Sequence, residues 1–200
     1  MNHEEWISVL RSGELEPKRL IQMAINQAQG FTWHPLGFVM SQLSENEEKK
    51  IRLHLWPEDR SKAQEPFWAI HDHLFNLNSW LISGSIKNIE YETIDESNEY
   101  CLYEARYVNN SSQLIRLDKF VGIVQTKTTL VEKGDYYEIN AGVFHQSASV
   151  GSSTAVTVCE TSKKLNRHPW VIGEVKGDPI YTFERSKVSD SELNKIVSKI

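Results

Sequence analysis

The chain has 200 residues, 40% of them hydrophobic and 24% charged, with a mean hydropathy of -0.46. These are the proportions of an ordinary globular domain, and no apolar run approaches the ~18–20 residues of a membrane-spanning helix. The net charge of -5 and the pI near 5.8 argue against a partner held by phosphate contacts, so no nucleic acid is expected.

The first residues, Met-Asn-His-Glu-Glu-Trp, are polar and acidic and do not read as a secretory leader. Two cysteines, Cys101 and Cys159, form no disulfide framework and no CxxC pair, so both are expected as buried, reduced thiols in a cytoplasmic protein.

Residues 3–29 show apolar residues at helical spacing, with Pro17 dividing them into two helices. The second is expected to begin near Glu16–Pro17 and to stop at Gly30. From about residue 36 the period changes to two. Gly37–Leu43 reads as a first strand. Ile51, Leu53 and Leu55 alternate with Arg52, His54 and Trp56 as in a half-buried strand. Residues 57–66 are polar and bounded by prolines, which predicts a loop.

Strands are then expected at Phe67–Asp72, Ser79–Ile86, Asn88–Ile94, Tyr100–Tyr107, Gln113–Leu117, Val121–Val131, Tyr136–Ile139, Val143–Ala148 and Thr154–Glu160. Short strands at this spacing are the pattern of a β-sandwich or barrel. Ser189–Ile200 reads as a helix capped by Ser189 or Asp190. The expected organisation is a helical extension over 1–35, a β-barrel over 36–185 and a C-terminal helix over 186–200.

Seven histidines remain to be explained. His71-Asp72-His73 is an HxH pair in a predicted strand, which turns both imidazoles to one face, roughly 6.6 Å apart along the strand. Chance alone gives about a quarter of one such pair in a chain with this many histidines, so context must carry the inference. Gly84 follows eleven residues after His73. Further on stands Gly134-Asp-Tyr-Tyr-Glu-Ile-Asn140-Ala-Gly142-Val-Phe-His145.

This arrangement resembles the cupin superfamily. The second cupin motif, G-x5-P-x-G-x2-H-x3-N, is matched by Gly134, Gly142 and His145, with Asn140 for the proline and Ser149 for the asparagine. The first motif keeps His71, His73 and Gly84. Leu77 and Asn78 stand where the glutamate ligand would be. The resemblance covers about residues 36–162. It implies a mainly β, double-stranded β-helix (a jelly-roll barrel) with a divalent metal held inside by His71, His73 and His145.

The string Ile70-His-Asp-His73, preceded by Leu53-His54-Leu55-Trp56, is also similar to the three-histidine cysteine dioxygenases. Their thioether cysteine and its partner tyrosine fall near Asn78 and Thr161. Their carboxylate-binding arginine has only Arg52 and Arg60 as candidates.

The resemblance implies one metal ion, with Fe(II) favoured and Zn, Ni or Mn as alternatives, because imidazole suits several transition metals. It implies a dioxygenase acting on a small polar molecule. The alternatives are a metal-dependent isomerase and a cupin that binds a small ligand without catalysis. Candidate substrate-binding residues are Arg52, His54 and Asn78. The sequence leaves open which face of Ile51–Trp56 lines the interior.

The remaining candidates have plainer readings. Asp72 points away from its flanking histidines, toward either a supporting hydrogen bond or the surface. Tyr136 and Tyr137 read as packing residues. His34 and His168 read as loop residues, and His3 lies near the terminus. Cys159 reads as an inert buried thiol. Lys163, Lys164 and Arg167 read as a solvated loop. Exposed strand edges make a homodimer the expected assembly.

Overall fold

The computed structural model describes residues 1–26, 30–59, 61–95, 97–109 and 111–200. Two helices, α1 (His3–Ser12) and α2 (Pro17–Asn26), lead into twelve strands. These are β1 (Thr32–Trp33), β2 (Val39–Glu45), β3 (Lys49–Trp56), β4 (Phe75–Ser83), β5 (Ser85–Ile94), β6 (Tyr100–Val108), β7 (Ser111–Glu132), β8 (Tyr136–Ile139), β9 (Phe144–Ser149), β10 (Ala155–Lys163), β11 (Trp170–Gly173) and β12 (Ile180–Glu184). Helix α3 (Asp190–Val197) ends the chain.

The helix ends follow their local chemistry. Asn2 and Glu5 close a capping box on α1, and Ser189 and Glu192 close another on α3. Pro17 occupies the first turn of α2, where its missing N–H costs nothing. Ala28, expected in this helix, lies outside the described residues.

The strands form two six-stranded antiparallel sheets. One has the order β1-β2-β3-β10-β4-β8. The other has the order β11-β6-β7-β5-β9, with β12 also paired to β7. The fold is therefore mainly β, a sandwich of two antiparallel sheets with N-terminal helices and a short C-terminal helix. Gly84 marks the passage from one sheet to the other. Its φ is +77°, and a Cβ there would stand 2.8 Å from the Ala155 Cα, so glycine is required by both conformation and space.

Three strand expectations change. Ser79–Ile86 is not one strand, because the chain turns at Gly84. Gln113–Leu117 and Val121–Val131 are parts of a single 22-residue strand, β7, whose middle stays paired to β6 through a bulge between Cys101 and Tyr103. Phe67–Asp72 is not a strand. Only His71 makes ladder bridges, to His145 and Val171.

The helices cover the outer face of the first sheet. Trp6, Leu10, Leu20 and Ile21 share one core with Val39, Ile51, Leu53, Leu55, Val156, Val158, Leu193 and Ile196. His3 adds a polar pin, 2.6 Å from the buried Glu160 carboxylate on β10. No helix among the described residues is long and apolar enough to cross a membrane.

Candidate metal centre and cavity

Cross-strand rows decide what faces the interior. Arg52, Cys159, Ser79 and Tyr137 are successive register partners across β3, β10, β4 and β8. All four line a cavity of about 290 Å³ between the sheets. The next row, Ile51, Glu160, Asn78 and Glu138, takes the opposite face. The orientation left open by the sequence is thus settled: Arg52, His54 and Trp56 line the cavity.

Asn78 is not brought to the cavity. Its amide donates to Glu160 Oε2 at 3.1 Å on the outer face. Its strand parity is opposite to that of Leu77 and Ser79, which do line the cavity. A substrate-binding Asn78 is therefore replaced by an Asn78 that helps hold the His3–Glu160–Lys49 group. Arg60 lies outside the described residues.

His71, His73 and His145 converge. One ring nitrogen from each lies within 4.8 Å of the others, and the ring centroids are 4.7 to 4.9 Å apart. Backbone pairing fixes the cluster. The His71 N–H donates to the His145 carbonyl at 3.0 Å, and the His145 N–H donates back at 2.9 Å. The Gly142 N–H donates to the His73 carbonyl at 2.8 Å. Gly142 has φ +84°, so the turn before His145 needs the freedom of glycine.

These imidazoles fit a metal ion. Burial lowers the pKa of His145 to about 3, that of His73 well below the ordinary histidine value, and that of His71 to a lesser degree. All three are uncharged at neutral pH, the form that ligates. Nδ1 of His71 lies 2.9 Å from the Ala69 carbonyl, and Nδ1 of His145 lies 3.4 Å from that of Val143. A carbonyl at Nδ1 favours the proton there and leaves the Nε2 lone pair for an ion. His73 stacks on Phe75 at 4.5 Å.

The cavity is cationic. Arg52 and Arg185 line it, and no carboxylate does among the described residues. Arg52 forms no ion pair with a described residue, and its guanidinium lies 5.8 Å from the Phe75 ring centre. Arg185 donates to Ser112 Oγ at 3.3 Å and lies over the Tyr107 ring at 4.9 Å. Burial and then the field of Arg185 depress His34. Burial and then Arg52 hold His54 down to about 3. His54 Nε2 is 3.7 Å from Cys159 Sγ. Burial pushes that thiol up to about 11.

Asp72 is not a surface carboxylate. It is fully buried, ion-paired with Arg167, and accepts the Trp170 N–H at 2.7 Å. Arg167 also lies over the Trp170 ring at 4.3 Å. The expected solvated loop therefore contains the partner of a buried charge, and it ties residues 167–170 to the HxH segment.

Several cavity residues were not singled out from the sequence as site residues. Cys159 and Thr161 follow from strand parity once the facing of β3 is known. Tyr137 follows from its register with Ser79. His34, Tyr107 and Arg185 have no sequence signal, since long-range folding alone brings them in. His168 is exposed.

No protein-family model matches the chain, and a search of curated proteins finds no match. Among solved structures, it is similar to the hydroxypropylphosphonic acid epoxidase of S. wedmorenis at 11% identity and a TM-score of 0.38. That match covers 63% of this chain and 50% of the epoxidase, so the chain spans about half the length of that protein. It is also similar to an RmlC-like cupin from Shewanella frigidimarina at 10% identity and a TM-score of 0.36, over 69% and 86% of the two chains. These likenesses are distant, and the reading of the site stands on its own side chains.

Proposed function

We propose that this chain is a metal-dependent enzyme of the mononuclear non-haem iron dioxygenase kind, acting on a small anionic molecule. The observation that carries the reading is the convergence of His71, His73 and His145 on a cavity holding two arginines and no carboxylate among the described residues. Three neutral imidazoles would hold a divalent ion, Fe(II) by preference and Zn, Ni or Mn as alternatives. When bound, such an ion supplies a Lewis-acid and redox centre.

The chain's own residues do the rest. The Ala69 and Val143 carbonyls orient two of the ligand rings. Arg52 and Arg185 draw an anion into a molecule whose net charge of -5 would otherwise repel it. Phe38, Trp56 and Phe75 wall the cavity with aromatic surface and limit its water. His54, held uncharged by burial and Arg52, lines the cavity and offers a ring nitrogen for a hydrogen bond to a bound molecule.

Elemental analysis of freshly purified protein tests the reading. About one transition-metal ion per chain is expected. His71→Ala should weaken retention by more than the ~10–100-fold typical of losing a supporting residue around a metal. Oxygen uptake should follow addition of a small carboxylate or thiol, and Arg52→Ala should raise the concentration required. Protein with no stoichiometric iron, nickel, manganese or zinc, and unaffected by His71→Ala, would overturn the reading.

A further inference from the structure

A second space of about 100 Å³ adjoins the histidine cluster. It shares His34, Leu36, His71, His73, Tyr107 and Arg185 with the main cavity. The rest of its wall is mostly hydrocarbon, including Trp68, Ala105, Leu114, Val171 and Phe183. Four of these five belong to the buried core of the second sheet, and Trp68 packs against that core.

The polar groups on this wall are already engaged. Asp72 is held by Arg167 and the Trp170 N–H. Ser112 accepts from Arg185. Gln64 exchanges hydrogen bonds with the Glu184 backbone. The space therefore offers a ligand little besides apolar contact, except on its shared side with Arg185 and the histidines.

This arrangement has two chemistries joined at one point. The main cavity presents Arg52 and Arg185 beside aromatic surface, and the annex, beyond the side it shares with Arg185 and the histidines, presents mostly hydrocarbon. A molecule filling both must carry an anionic head and an apolar chain. About 100 Å³ is the volume of roughly three water molecules at about 30 Å³ each. That is room for a chain of about three or four carbons.

We propose that the substrate is a short aliphatic acid, with its carboxylate on the Arg52–Arg185 side and its hydrocarbon chain in the annex. The inference rests on the anionic-substrate reading above and adds the chain. It makes Ala105 and Leu114 the residues that set chain length, since these register partners sit side by side on β6 and β7 and both line the annex.

Calorimetric titration of the metal-loaded 200-residue chain with straight-chain alkanoates, acetate to octanoate, tests the proposal. Affinity should rise about threefold to fourfold per added methylene, the value of moving a methylene out of water. The rise should stop when the annex is full, near butanoate or pentanoate. Leu114→Ala should move that limit to a longer chain, and Ala105→Leu should move it to a shorter one. Thermal unfolding and metal content show whether each variant is folded, and the two opposite substitutions guard against loss of either.

Affinity independent of chain length would overturn the proposal. So would no binding at millimolar concentrations, or a limit that neither folded variant moves. Protein without metal overturns the enzyme reading, while the chain-length series can still be read on the arginines and the annex. Metal present with a flat series overturns the annex alone.

Discussion

The two faces of β3 carry opposite chemistry and opposite tasks. Ile51, Leu53 and Leu55 are fully buried, yet they face outward from the cavity, under the layer of α1, α2 and α3. Arg52, His54 and Trp56 face inward and are only partly buried, because a cavity opens before them. The most apolar face of a barrel strand is therefore not its inner face here. Helices make the outside of this sheet into a core, and that frees the inside for polar groups. On the second sheet, by contrast, Val124 and Leu130 of β7 are exposed.

The largest expected effect lies where this division is crossed by a buried charge. Asp72 is fully buried between His71 and His73 in the chain and depends on Arg167. Arg167→Ala should cost about 3–5 kcal/mol, the usual penalty for stranding one partner of a buried pair. Denaturant unfolding reads this directly. The double variant Asp72→Asn, Arg167→Ala should recover part of the loss, because it removes the stranded charge. Additive losses would show that the ion pair is not the cause.

Next is the contrast within β3 itself. Leu53→Ala removes a fully buried side chain from the helix-covered core and should cost about 2–5 kcal/mol. His54→Ala, one residue on, opens into an existing cavity and should cost no more than about 1 kcal/mol. Equal costs at the two positions would show that the two faces of β3 are packed alike.

Much of this was legible in the sequence, and the reasons differ by element. Tyr136–Ile139 was delimited correctly because Gly134 and Asn140 bracket it. The three histidines were legible as a group because each motif keeps its own local spacing, and each pins its histidines by backbone contacts close by. The facing of β3 was not legible, because alternation records two unlike faces without saying which one the helices will cover. The facing of Asn78 is hidden for a related reason: its motif spacing from His73 suggests the site, whereas the pleat gives it the parity opposite to Ser79 and turns it outward. The pairing of Asp72 with Arg167 spans 95 residues and has no local signature.

The smallest expected effect tests the inner face through Cys159. Its thiol is buried against Arg52 and His54, and loss of solvation pushes its pKa from 9.0 up to about 11. At neutral pH the folded protein holds it protonated, so alkylation should be slow although the side chain lines a cavity. The rate should climb about tenfold per pH unit between pH 8 and pH 10, as the thiolate fraction grows. The linkage has a definite sign. Between pH 9 and 11 the folded state keeps a proton that the unfolded chain releases, so stability falls as pH rises through that window. Below it, both states are protonated and this group gives no slope. Cys159→Ser should flatten the fall without changing stability slope near neutrality, and comparison of the two proteins removes the contribution of Cys101. A Cys159 that alkylates fast at pH 7 would place a stabilised thiolate in the cavity. The inner face would then be cationic enough to hold an anion of its own, and Arg52 would already be partly committed to it before any substrate arrived.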